Sequence, residues 1–157
     1  MARRSAGVLL YRVSIEGSLE VLLVHPGGPL WAKRDEGAWS IPKGEYGEDE
    51  DPMAVARREF AEELGSAAPD GPWLDLGTIR QAGGKRVTAW AVLGDLDVST
   101  VVSNTFEMPW PPNSGKHAVF PEVDRAEWFS VRDAEHKIIA GQSELLDRLV
   151  RQIEPGR

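Results

Sequence analysis

The chain has 157 residues, 41% of them hydrophobic and 27% charged, which is the balance of an ordinary globular domain with a workable core. It carries 18 Lys and Arg against 25 Asp and Glu, and the net charge of −7 argues against a nucleic-acid backbone as partner. Cysteine is absent, which excludes disulfides and thiolate metal sites, and the apolar run of residues 6–11 is too short for a membrane span or a signal-peptide core, so a cytoplasmic protein with no membrane partner is expected.

In chain order, residues 6–13 and 19–25 read as paired strands, with Ile15, Glu16, Gly17 and Ser18 making the turn. A loop begins at His25-Pro26-Gly27-Gly28-Pro29 and residues 30–37 continue it. Residues 38–42 read as a short strand that runs into Lys43 and Gly44. Asp51 as N-cap, Pro52 at the first helical position and Gly65 as a left-handed C-cap then bracket a helix. Met53, Ala56, Phe60 and Leu64 recur at helical spacing and form its apolar stripe. After a break at residues 69–72, residues 73–81 and 86–93 read as strands joined near Gly83-Gly84. Residues 101–111 contain another strand, ending at Trp110-Pro111-Pro112. Residues 125–130 form a short strand, and residues 131–139 and 144–153 are helical, with Ser143 capping the last. The sum is a mixed sheet with helices, an α+β or α/β/α sandwich in one domain spanning 1–157.

The chemistry concentrates between Gly44 and Gly65, where Glu45, Glu48, Asp49, Glu50, Asp51, Glu59, Glu62 and Glu63 crowd together. Glu59, Glu62 and Glu63 stand at i, i+3 and i+4 and share one helix face, about 110° around from the apolar stripe. Three like charges so placed repel, and a hard divalent cation with oxygen ligands converts that repulsion into binding; the plain alternative is a solvated acidic face. The run GEYGEDEDP lacks the alternating ligands of a calcium loop. Lys43 beside this segment is a point charge suited to a phosphate oxygen, with a solvated strand-end lysine as the alternative. Arg80 and Lys85 flank Gln81-Ala82-Gly83-Gly84, either to hold distal phosphates or as the basic shoulders of a plain hairpin. Trp31, Phe106 and Trp110 lie in Pro/Gly-rich surroundings and are the candidates to stack on a base. His117, in a polar loop, is a substrate-contact candidate, whereas a structural role suits His25 and His136.

Gly44, five residues, Glu50, seven residues, then Arg58-Glu59-Phe60-Ala61-Glu62-Glu63-Leu64-Gly65 resembles the Nudix box of the MutT-like Nudix hydrolases over residues 44–66. The one departure is Ser66, where the family prefers an apolar residue for packing. The entry Trp39-Ser40-Ile41-Pro42-Lys43-Gly44 is similar to that of members cleaving dinucleoside polyphosphates. The resemblance implies the Nudix fold, a mixed β-sheet between helices, and a Mg²⁺- or Mn²⁺-dependent pyrophosphohydrolase. Its substrate would be a nucleoside diphosphate linked to another moiety, such as diadenosine tetraphosphate split asymmetrically. Glu59, Glu62, Glu63 and the Gly44 carbonyl would hold the metal, one glutamate would accept the proton of water, and Glu50 with Arg58 would brace the loop over the helix. Many members add a carboxylate from a later loop, for which Glu122 is the choice and Glu107 and Asp124 the rivals. The alternatives are an oxidised-nucleotide or general NTP pyrophosphatase, or a non-catalytic nucleotide-binding module, against which the intact glutamate set argues. The expected partner is a small nucleoside polyphosphate, and because the family is often dimeric a homodimer is a further expectation.

Overall fold

A computed structural model of the chain describes residues 3–153. In chain order its elements are β1 (Arg4–Val13), β2 (Leu19–Pro26), β3 (Lys43–Glu45), α1 (Pro52–Leu64), β4 (Trp73–Arg80), β5 (Arg86–Leu93), β6 (Thr105–Pro109), β7 (His117–Pro121), β8 (Val123–Ser130), α2 (Val131–Lys137) and α3 (Ser143–Ile153).

Strand β1 is the axis of the molecule. Every residue in its stretch 5–11 is buried, as a strand covered on both faces must be. It runs parallel to β5 along one edge, while on the other edge its first half pairs with β3 and its second half with β2, both antiparallel. The main sheet has the order β4-β5-β1-β2-β8, with β3 attached to β1. Side chains alternate between two cores. Ala6, Val8 and Leu10 pack against Val55, Ala56, Phe60 and Leu64 of α1. Leu9 and Tyr11 face the other way, into a core holding Ala134 of α2 and Leu145, Leu146 and Leu149 of α3. Each large apolar side chain so buried contributes on the order of 1.5–3 kcal/mol of transfer free energy. The architecture is a mixed sheet between helices, as expected for an α+β sandwich.

Three local expectations are corrected. Residues 38, 39, 41 and 42 are buried and Ser40 is half-buried, but the segment does not form a strand. Ser40 bridges Val24, Trp39 bridges Ile138, and neither contact propagates into a ladder. Pro42 has no N–H to donate, so regular pairing starts only at Lys43. The buried face of α1 uses Val55 with Ala56, Phe60 and Leu64, and Met53 is only half-buried in the first turn. His117 lies on a strand, not in a loop: β6 and β7 form a separate two-stranded antiparallel sheet whose turn contains Asn113 at φ 61° and Gly115 at φ 75°. Among the described residues no helix is long and apolar enough to cross a membrane.

Candidate active site

Helix α1 starts and stops where its caps dictate. The Asp51 carboxylate accepts from Ala54 N–H at 3.3 Å, and Gly65, at φ 78°, donates its N–H to Ala61 O at 2.8 Å. With the apolar side turned to β1, the carboxylates of Glu59, Glu62 and Glu63 turn toward the end of β3. They line a cleft of about 350 Å³ together with Lys43, Gly44, Glu45, Asn104 and Glu122.

The contacts in this cleft are close. Lys43 N–H donates to Glu63 Oε2 at 3.0 Å, tying β3 to the helix. Gly44 leaves room for Glu59 as it stands: a Cβ there would lie 2.2 Å from Glu59 Cδ and 2.4 Å from both Cγ and Oε1. Arg58 spans Glu50 and Glu59, at 3.3 Å and 3.6 Å, and the other oxygen of Glu50 accepts from Gly47 N–H at 3.0 Å. The loop between β3 and α1 is thus held to the helix by a carboxylate and a guanidinium.

The electrostatics are those of anions pressed together out of water. Burial, helped by the charge of Glu59, pushes the Glu63 carboxyl up to about 8, against the opposing pull of Lys43. Glu59 is also raised, by burial and then by Glu62, with Arg58 opposing. Lys43 is lowered, first by burial and also by Lys85, while Glu63 opposes the shift. Among the described residues no three acidic or imidazole side chains are already drawn together as a ligand cluster. Glu63 is engaged by Lys43 N–H and Glu59 by Arg58, so a cation would draw them in from these partners. A set of crowded carboxylates, two of which, Glu63 and Glu59, hold their protons through burial and then the charge of a neighbouring carboxylate, fits a hard divalent cation with oxygen donors.

Of the three late carboxylates, Glu122 reaches the cleft. Asp124 is taken by the buried His25, whose Nδ1 lies 2.8 Å away while its Nε2 lies 2.6 Å from Arg34 O. Glu107 points outward from β6 and meets His117 at 3.4 Å. His117 therefore stands outside the cleft, as does Arg80, which lines a separate hollow with Thr78, Ile79 and Arg86. Lys85 does not line the cleft either, although its charge is felt by Lys43.

Beside the cleft, and sharing Glu122 with it, is an apolar slot of about 200 Å³ lined by Pro26, Gly27, Pro29, Leu30, Trp31, Phe106 and Met108 among others. Trp31 and Phe106 thus come together, while Trp110, half-buried just past β6, lines neither the slot nor the cleft. The slot is pinned by backbone. Gly27 N–H donates to Glu122 O at 3.0 Å, Glu122 N–H to Asn104 O at 2.9 Å, and Asn104 N–H to Glu62 O at 2.8 Å.

Two residues of this region escaped sequence reasoning. Asn104 lies on the cleft wall, in a stretch with no distinguishing pattern before β6. Gln142 is fully buried, and its Oε1 accepts from Ile41 N–H at 3.1 Å while its Nε2 donates to Ser40 Oγ and Gln81 Oε1, each at 3.0 Å. It anchors the segment that enters β3, a role that depends on a partner about a hundred residues away, as the 102-residue separation from Ser40 shows.

Comparison with known proteins gives the following. The NUDIX domain family matches residues 1–149. No curated protein gives a significant match. Among solved structures, an Ap4A hydrolase of C. elegans, as a binary complex, is 22% identical, with 95% of this chain and 97% of that chain covered and a TM-score of 0.64. The NUDIX domain of Shewanella oneidensis NrtR, complexed with ADP ribose, is 17% identical, with 98% and 89% covered and a TM-score of 0.66. The C-terminal domain of mouse MUTYH, in complex with human PCNA, is 14% identical, with 98% and 90% covered and a TM-score of 0.63. At these identities the likeness is one of fold.

Proposed function

From the premise that this chain belongs to the Nudix family and is a Nudix hydrolase, we propose that it is a metal-dependent pyrophosphohydrolase of nucleoside polyphosphates, with a dinucleoside polyphosphate split asymmetrically as the preferred substrate. The observation that carries the reading is the convergence of Glu59, Glu62, Glu63 and Glu122 with Lys43 on one cleft that opens beside an aromatic slot.

In this reading Glu59, Glu62, Glu63, Glu122 and the Gly44 carbonyl would hold Mg²⁺ or Mn²⁺. When bound, the cation supplies neutralisation of the phosphate charge and a more acidic water. The protein supplies the rest. Lys43 offers a compact positive charge to a non-bridging phosphate oxygen, and burial keeps it from being diluted by solvent. Arg58 holds Glu59 beside Gly44 and fastens the loop through Glu50. Glu59 or Glu62 accepts the proton of the attacking water. Trp31 and Phe106 offer ring faces to a base in the slot, which places the phosphate chain along the cleft. The entry Trp39-Ser40-Ile41-Pro42-Lys43-Gly44 and the fold likeness to an Ap4A hydrolase support the dinucleoside polyphosphate over a mononucleotide. The intact glutamate set favours catalysis over the nucleotide-binding role that the ADP-ribose complex of NrtR illustrates.

The test is product analysis with Mg²⁺ and a panel of diadenosine tetra- and hexaphosphate, 8-oxo-dGTP, dNTPs, ADP-ribose and NADH, with Glu63→Gln as control. Cleavage of the dinucleoside polyphosphates to ATP-containing products is expected, with loss in EDTA and in Glu63→Gln. Faster cleavage of a mononucleotide refutes the substrate assignment, and no cleavage of any compound refutes the hydrolytic one.

A further inference from the structure

We propose a second anion site, separate from the carboxylate cleft, where Arg80, Arg86 and Arg4 stand side by side across three strands and take a chain of linked phosphates. The three residues are in direct register: Arg80 opposite Arg86 in the β4–β5 pair, and Arg86 opposite Arg4 in the β5–β1 pair. Residues in lateral register project from the same face of a sheet. That face is the α1 side, because the in-phase pair Val8–Trp90 packs in the core beneath α1. With strands ~4.8 Å apart the row spans ~10 Å. Tyr46 extends it by one strand, its N–H donating to Arg4 O at 2.9 Å and its ring centroid lying 5.3 Å from the Arg4 guanidinium carbon.

All three arginines are exposed, and among the described residues none of them forms an ion pair. Like charges directly opposite on neighbouring strands destabilise a sheet. Here a chain with a net charge of −7 lines up three cations without a carboxylate between them. The row edges a hollow of about 630 Å³ lined by Arg3, Arg4, Glu45, Tyr46, Gly47, Glu48 and Arg86, and Arg86 joins it to the smaller hollow that holds Arg80 and Thr78. Glu45 is the one residue this larger hollow shares with the carboxylate cleft. Glu45 and Glu48 at the rim, the former 4.0 Å from Arg3, offset part of the positive charge. A single small anion therefore gains little, whereas a ligand that reaches three guanidiniums at once gains from each. Guanidinium forks match phosphate oxygens two at a time, so consecutive phosphates, free or carried on a nucleoside, are the chemistry this row recognises.

The experiment is calorimetric titration of the metal-free protein in EDTA with inorganic tripolyphosphate, with ATP and with sodium sulfate at matched ionic strength. Tripolyphosphate is expected to bind at one site, to weaken with salt, and to lose about tenfold in affinity in each of Arg86→Gln, Arg80→Gln and Arg4→Gln. Circular dichroism of these exposed-site variants verifies the fold. ATP binding comparably to tripolyphosphate supports recognition of the phosphate chain itself. Binding of ATP without tripolyphosphate, equal binding of sulfate, no binding, or parent-like affinity in Arg86→Gln each overturns the proposal. The measurement uses neither metal nor turnover, so the carboxylate cleft and this row stand or fall separately.

Discussion

Replacing Gly44 by alanine separates the chemistry of the cleft from the stability of the fold. Gly44 is not among the residues with positive φ, so its backbone suits alanine and strain plays no part. What the methyl group meets is the Glu59 side chain, at 2.2 Å from Cδ and 2.4 Å from Cγ and Oε1. Those atoms belong to one rotatable side chain, so the backbone can stay while Glu59 swings away. The fold loses the Arg58–Glu59 contact at 3.6 Å, worth little for a half-exposed guanidinium, plus a rotamer cost. Together these amount to about 1 kcal/mol, or a fall of ~2–4 °C in Tm. Activity should suffer far more. Removing one carboxylate from the proposed cation-binding set is expected to cost ~3 kcal/mol in the barrier, about 100-fold in kcat. Initial rates across a Mg²⁺ titration, with calorimetric melting in parallel, measure both quantities. Glu59→Gln should show a similar rate deficit, and the Gly44→Ala/Glu59→Gln double variant should be no worse than either single, because both remove the same group. Parent-like turnover in Gly44→Ala, or multiplied deficits in the double variant, would refute the reasoning.

The metal-free protein should lose stability as pH rises from about 4.5 to about 8. Glu63 keeps its proton in the fold up to about 8 against an ordinary 4.5, so the folded state binds more protons than the unfolded chain across that window. If Mg²⁺ binds at Glu63 as proposed, it competes with that proton and should raise Tm more above the window than below it, and a pH-independent Mg²⁺ effect counts against the assignment. Gln142→Leu strands the buried Ile41 N–H and should cost ~1–3 kcal/mol in urea unfolding; a neutral result would mean that water replaces the amide. Gly65→Ala should cost about 2 kcal/mol or more, because φ is 78° and the new Cβ would lie 2.7 Å from Val102 O; an unchanged midpoint would contradict the left-handed cap.

Helix α1 was legible because its signals are local. Asp51, Pro52 and Gly65 mark its ends, and the spacing of Glu59, Glu62 and Glu63 puts them on one side whatever surrounds them. That Val55 rather than Met53 belongs to its buried face depends on what packs against the helix, which no helical period contains. Strand β7 had a readable alternation in Ala118 and Phe120, but its outward His117, Val119 and Pro121 made it look like loop. Its existence follows from pairing with β6, and pairing is a long-range property. The same holds for the cleft outside α1. Glu122 and Asn104 come to Glu62 through backbone hydrogen bonds between segments far apart in the chain, as does the clasp of Gln142 on Ile41.

The hydrogen-bonded chain Gly27–Glu122–Asn104–Glu62 has a further bearing on how such a protein diversifies. It roots the β6–β7 hairpin firmly at its base, while residues 111–116 at its tip are all exposed. A loop of that kind accepts insertion at a cost that grows only slowly with length. Under the proposed function, new sequence at the tip would alter what stands beside the aromatic slot and so which leaving group is admitted, while the glutamates on α1 would keep an unaltered phosphate chemistry. Substrate range and reaction would then be separately heritable.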